Sequence, residues 1–191
     1  MTTANKVTIG RVFLIPFFIV LLLYYAKNGN EIFRMFAIVS FALCAVSDGI
    51  DGYIARRYNQ RSELGAILDP LADKLLLVSG IILLSVDNGP ILPRLPLWLA
   101  GVILSRDVLI LIGMIVIHIV CGKVKVRPRW LGKVATVLQM ATVIWALLKW
   151  PSQWLDDIAL AAAVCTGISG LLYVWDGVRQ LSAHPTSSAS N

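Results

Sequence analysis

The sequence predicts an all-α integral membrane protein, a six-transmembrane-helix bundle with both termini in the cytoplasm. Three observations predict it. Hydrophobic residues make up 58% of the 191-residue chain and its mean hydropathy is +0.77, against about 45–50% apolar residues in soluble domains. Six stretches reach the roughly 20 mostly apolar residues that a helix needs to cross ~30 Å of hydrocarbon. Lysine and arginine are abundant in alternate connections, which separates cytoplasmic from external loops. Open sheet edges are excluded from lipid, so the spanning segments are helices.

The first helix is predicted over residues 7–26, with Lys6 and Arg11 at its start and no small-residue cleavage site behind it. It reads as a retained span and not as a signal peptide. Asn28-Gly29-Asn30 breaks the chain before the second helix, 32–55. Arg56, Arg57 and Arg61 follow, and the third helix covers 65–86. Asp87-Asn88-Gly89-Pro90, with Pro93 and Pro96, precedes the fourth at 96–121. The basic connection Lys123, Lys125, Arg127, Arg129 and Lys133 leads to the fifth, 133–150. Pro151-Ser152 closes that helix, and the sixth spans 156–178 before Arg179.

The opposite connections carry Lys27, Arg94 and Lys149. This bias puts both termini on the cytoplasmic side of an inner or cytoplasmic membrane. Residues 1–181 read as one transmembrane domain, and the small polar residues 182–191 as a flexible tail. The net charge of +6 follows the topology, so no nucleic-acid partner is expected. Cys44, Cys121 and Cys165 have no C-x-x-C spacing, which indicates neither a zinc site nor a disulfide framework.

Charge is concentrated at one hairpin. Asp48 and Asp51 stand three apart, and Asp69 and Asp73 four apart. On helices both spacings put the pair on one face. A short turn between antiparallel helices would let the two faces oppose each other at the cytoplasmic side. Unneutralised, four convergent carboxylates would repel and hold protons. Two Mg²⁺ or Mn²⁺ ions would balance them, since hard oxygen ligands suit those metals. Two-metal sites clamp the entering and leaving oxygens of a phosphoryl displacement. Gly52 and Gly65 fit close approach of a ligand to the backbone, because glycine in a helix costs ~1 kcal/mol against alanine. Pro70 is tolerated if its helix begins only a turn earlier. The bland reading pairs the acids with Arg56, Arg57, Arg61 and Lys74. A cation transporter is the rival of another class, but it predicts acids spread through the membrane depth.

Asp48-x-x-Asp51-Gly52-x-x-Ala55-Arg56, followed by Gly65-x-x-x-Asp69-x-x-x-Asp73, resembles the signature of the CDP-alcohol phosphatidyltransferases at every fixed position. The resemblance implies a Mg²⁺-dependent enzyme of phospholipid biosynthesis that takes CDP-diacylglycerol and releases CMP. It implies that Asp48, Asp51, Asp69 and Asp73 bind metal, with Asp73 also the general base on the acceptor hydroxyl. Gly52, Arg56 and Ser62 would contact the CDP moiety, with Ala55 and Gly65 leaving room for it. A homodimer is expected from the same resemblance.

Asn5-x-x-Thr8-x-x-Arg11 with Pro16 is similar to the opening of the phosphatidylglycerophosphate synthase and cardiolipin synthase subgroup. Asn5 and Thr8 would touch the nucleotide or cap the first helix. Leu68-Asp69-Pro70-Leu71-Ala72-Asp73-Lys74 and Gly132-Lys133-x-x-Thr136-x-x-Gln139 also resemble that subgroup. The acceptor it implies is sn-glycerol 3-phosphate, giving phosphatidylglycerophosphate; the alternative is phosphatidylglycerol, giving cardiolipin.

Arg106 is informative without any family. An arginine in mid-helix costs about 2.5–3.5 kcal/mol on insertion scales, so it needs an interior partner. That partner is Asp107, an aspartate of the site, or an acceptor phosphate. Lys123 and Lys125 in the basic connection, and Lys133 beyond it, would attract the same phosphate and anionic lipid.

Overall fold

The computed structural model describes the backbone over residues 3–58, 63–86, 91–121 and 130–182, and side chains there except at 3–9, 48–58, 63–70, 118, 120–121 and 180–182. Six helices follow in order: α1 Thr3–Asn28, α2 Glu31–Tyr58, α3 Glu63–Ser85, α4 Leu97–Cys121, α5 Trp130–Leu147 and α6 Ser152–Ser182. The all-α expectation holds among the described residues. Among the described residues, four segments are long and apolar enough to cross a membrane: Gly10–Asn28, Leu97–Ile117, Trp130–Leu147 and Ser152–Arg179.

The helices form two compact units, one of residues 1–95 with 143–152, the other of 96–142 with 153–191. In the first, α1 packs on α2 and α3. Phe18, Tyr25, Phe41, Leu77 and Leu84 are fully enclosed there, and the rings of Phe18 and Phe41 meet at 5.5 Å. Gly80 admits the end of α5, because a Cβ on it would lie 3.2 Å from Val143 Cγ1. Between helices in lipid the hydrophobic drive is weak, so close packing and polar ties carry more of the association.

Breaks between helices have identifiable caps. Gly29, at φ 65°, ends α1 by returning its N–H to the Tyr25 carbonyl at 2.8 Å, the left-handed cap that glycine adopts without strain. The Asn30 side chain then accepts from the Ile32 N–H at 3.0 Å and caps α2. The end of α3 is covered by the returning segment, as Leu95 N–H donates to the Leu84 carbonyl and Arg94 Nε to that of Ser85.

The end of α5 departs from the prediction. The helix stops at Leu147 instead of 150, and α6 starts at Ser152 instead of 156. Lys149 takes φ 55°, its N–H donates to Ala146 and the Trp150 N–H to Trp145. This is a Schellman cap, with Trp150 edge-on to Trp145 at 4.6 Å as its apolar contact. Lys149 is held there by Glu31 at 2.9 Å and by the Tyr25 ring at 5.3 Å. Tyr25 Oη also donates to Glu31, and Arg34 pairs with Glu31 and donates to the Leu147 carbonyl. Lys149 foremost, with Tyr25 and Arg34, holds the Glu31 carboxyl below its ordinary value. Arg34 thus joins Lys27, Arg94 and Lys149 among the basic residues of that end.

In the second unit, α5 and α6 are tied by a buried hydrogen bond from Gln139 Nε2 to Thr166 Oγ1 at 2.8 Å. Thr166 in turn donates to the Ala162 carbonyl. Interhelical bonds of this kind contribute about 0.6–2 kcal/mol in a membrane. Cys44 and Cys165 are free thiols.

Candidate active site

The four aspartates ride on consecutive helices of the first unit. Asp48 and Asp51 fall in the C-terminal half of α2, with Gly52, Ala55 and Arg56 in the same continuous helix. Gly65, Asp69 and Asp73 fall in the N-terminal half of α3. Each acid pair is therefore spaced by about one helical turn, ~4.5–6 Å of rise. The connection between the helices is only four residues, 59–62. The side chains of Asp48, Asp51, Asp69, Gly52, Ala55, Arg56 and Gly65 lie outside the described set, as does Ser62 altogether. Asp73 is described: it is half-buried, beside a half-buried Lys74, and both are engaged in interactions.

Two local expectations change. Helix α3 opens at Glu63, so Pro70 sits about two turns inside it and not in the first turn. The helical backbone continues through a residue that has no N–H to give, and one link of the ladder is missing there. Helix α1 opens at Thr3, which puts Asn5 and Thr8 within the helix. Neither occupies the capping position.

The second unit builds a polar node around Arg106. Its side chain is 12% exposed, and Nη1 donates to Asp107 at 2.7 Å. Asp107 is one of the partners expected for it. Nη2 donates to Ser169 Oγ on α6 at 3.3 Å, and the guanidinium lies 5.7 Å from the Tyr173 ring centroid, within cation–π range. Gly132 of α5 borders the same group: a Cβ there would stand 3.4 Å from Arg106 Nη2 and from Ser169 Oγ. Gly170 borders its stem, 3.1 Å from Cγ by the same measure.

Lys133, next to Gly132, is exposed, and its Nζ lies 5.4 Å from the Trp130 ring centroid. Lys123 and Lys125 fall outside the described residues. Sequence reasoning named Arg106 and Lys133 but missed Ser169, Gly170 and Tyr173. A signal for them exists in hindsight, since Thr166, Ser169 and Tyr173 recur at helical spacing along an otherwise apolar segment.

A helical chain with apolar spans, an acidic register on two consecutive helices and a separate guanidinium node defines a membrane protein equipped for phosphate chemistry. Comparison with known proteins narrows the class. The sequence profile of the CDP-alcohol phosphatidyltransferases matches residues 1–169, and the chain belongs to that family. Relatives from Shigella flexneri and Escherichia coli, each named CDP-diacylglycerol–glycerol-3-phosphate 3-phosphatidyltransferase, are 32% identical over 176 residues, 92% of this chain and 91% of theirs.

Proposed function

We propose that this protein transfers the phosphatidyl group of CDP-diacylglycerol to sn-glycerol 3-phosphate, giving phosphatidylglycerophosphate and CMP. The observation that carries the reading is the complete aspartate signature on α2 and α3 in a chain matched almost end to end by relatives of that name.

The acceptor hydroxyl attacks the phosphorus that bears the diacylglycerol. A new O–P bond forms, the bond from that phosphorus to the bridging oxygen breaks, and CMP departs with the electron pair. The hydroxyl proton goes to Asp73, a half-buried carboxylate suited to hold it. Asp48, Asp51, Asp69 and Asp73 would hold two divalent cations, Mg²⁺ or Mn²⁺; an all-carboxylate donor set at one-turn spacing suits such hard ions. When bound, the cations offset the charge of the diphosphate and of the leaving CMP. Gly52, Ala55, Arg56, Ser62, Gly65, Asn5 and Thr8 are assigned to the CDP-lipid. Arg106 and Lys133, with Lys123 and Lys125, are assigned to the acceptor phosphate.

All six helices are proposed to cross the membrane of an inner or cytoplasmic bilayer, with both termini and the aspartates on the cytoplasmic side and the protein a homodimer. Purified protein with Mg²⁺, labelled CDP-diacylglycerol and each acceptor in turn tests the chemistry. CMP release is expected with glycerol 3-phosphate and not with phosphatidylglycerol alone. Turnover confined to phosphatidylglycerol would replace this reading with cardiolipin synthesis.

A further inference from the structure

Arg106 is restrained by more than charge neutralisation requires. Asp107 alone, at 2.7 Å, would balance it. Yet α6 adds a hydroxyl at 3.3 Å from Ser169 and an aromatic face from Tyr173, while Gly132 and Gly170 keep space for the guanidinium and its stem. A guanidinium has five N–H donors. Asp107 and Ser169 each take one, and Nε is buried without a hydrogen-bond partner among the described residues. The group is fixed in orientation but not saturated. A planar fork held in that state binds a phosphate with little of its rotamer freedom left to lose.

We infer that Ser169 and Tyr173 are positioning residues for the acceptor: they lock the plane of Arg106 so that its remaining donors meet the acceptor's phosphate. Ser169 does so through its hydroxyl and Tyr173 through its ring face. The tyrosine lies beyond residues 1–169, the part matched by the family profile. The inference rests on the assignment of Arg106 to the acceptor phosphate. It predicts an effect on one substrate only, because Ser169 and Tyr173 belong to a different unit from the aspartate-bearing helices.

Initial rates of the purified, Mg²⁺-supplied enzyme, varied separately in glycerol 3-phosphate and CDP-diacylglycerol, provide the test. Ser169→Ala and Tyr173→Leu should each raise KM for glycerol 3-phosphate about tenfold, the size of one hydrogen bond to a charged group. KM for CDP-diacylglycerol and kcat should stay within about twofold, the scatter expected of an uncoupled site. Tyr173→Phe keeps the ring and should behave as wild type. Tyr173→Phe as damaging as Tyr173→Leu, or equal rises in both KM values, would overturn the positioning role. If Tyr173→Leu fails to fold, Ser169→Ala, which removes a single oxygen, decides alone. Arg106→Lys separates the two layers. If it leaves KM for glycerol 3-phosphate unchanged, the acceptor assignment itself fails. If it raises that KM while the α6 variants do not, only the positioning role fails.

Discussion

At the scale of single residues, Asp73 and Arg106 divide the proposed reaction between proton transfer and acceptor recognition. A carboxylate that both takes a proton and binds a cation should lose more by amidation than a ligand that only binds. Asp73→Asn is therefore expected to lower kcat by ~10²–10⁴-fold, the range of general-base catalysis, plus any loss of metal. Equilibrium binding of CDP-diacylglycerol, measured with Mg²⁺ present, should weaken far less than kcat falls. Equal losses in binding and in turnover would show a ligand and no base. Arg106 was legible in the sequence because a mid-span arginine is costly, and its pairing with Asp107 was among the partners foreseen. Its α6 contacts were not. Ser169 and Tyr173 share a helical spacing with Thr166, but that spacing does not say that their face meets α4.

Helices α1 and α5 end by the same physical device with different residues, and only one end was legible. Gly29 advertises a left-handed cap, and the Asn28-Gly29-Asn30 break was read correctly. Lys149 fills the equivalent place after α5, so the apolar pattern appeared to run on to Trp150. A non-glycine residue in that conformation costs about 1–2 kcal/mol, while an exposed, solvent-screened ion pair returns less than that. The Glu31 and Tyr25 contacts thus offset the strain only in part. Lys149→Gly removes strain and pair together, whereas Lys149→Ala removes the pair and keeps the strain. The glycine variant should be the more stable by ~1 kcal/mol, about 2–4 °C in Tm for a chain of this size. Thermal scans of both variants in one detergent measure the gap, and an alanine variant equal to or above the glycine variant would refute the account. Boundaries at α3 and α6 shifted for a related reason: polar residues such as Glu63 and Ser152 extend helices past their apolar segments, and a search for hydrophobicity stops short of them.

For the whole molecule the open question is which side of the membrane meets the α2–α3 connection. An even number of crossings leaves both termini on one side, whether all six helices span or α2 and α3 stay on one face of the bilayer while α1, α4, α5 and α6 cross. The termini therefore do not discriminate, and the connection at 59–62 does. With six spans it is cytoplasmic, on the same side as Lys6 and Arg179. With four it would be external, and Arg56, Arg57 and Arg61 would violate the positive-inside bias. That bias favours six, since α2 and α3, at 28 and 23 residues, are long enough to span, a bilayer needing roughly 20. Placing Gln60→Cys or Gln153→Cys in a variant with Cys44, Cys121 and Cys165 replaced by serine turns this into a measurement. An impermeant maleimide applied to intact cells should label Gln153→Cys, which is exposed at the start of α6, and should reach Gln60→Cys only after permeabilisation. Labelling of Gln60→Cys in intact cells would put the aspartate hairpin outside, away from any cytoplasmic supply of a phosphorylated acceptor, and the proposed six-span topology would fall with it.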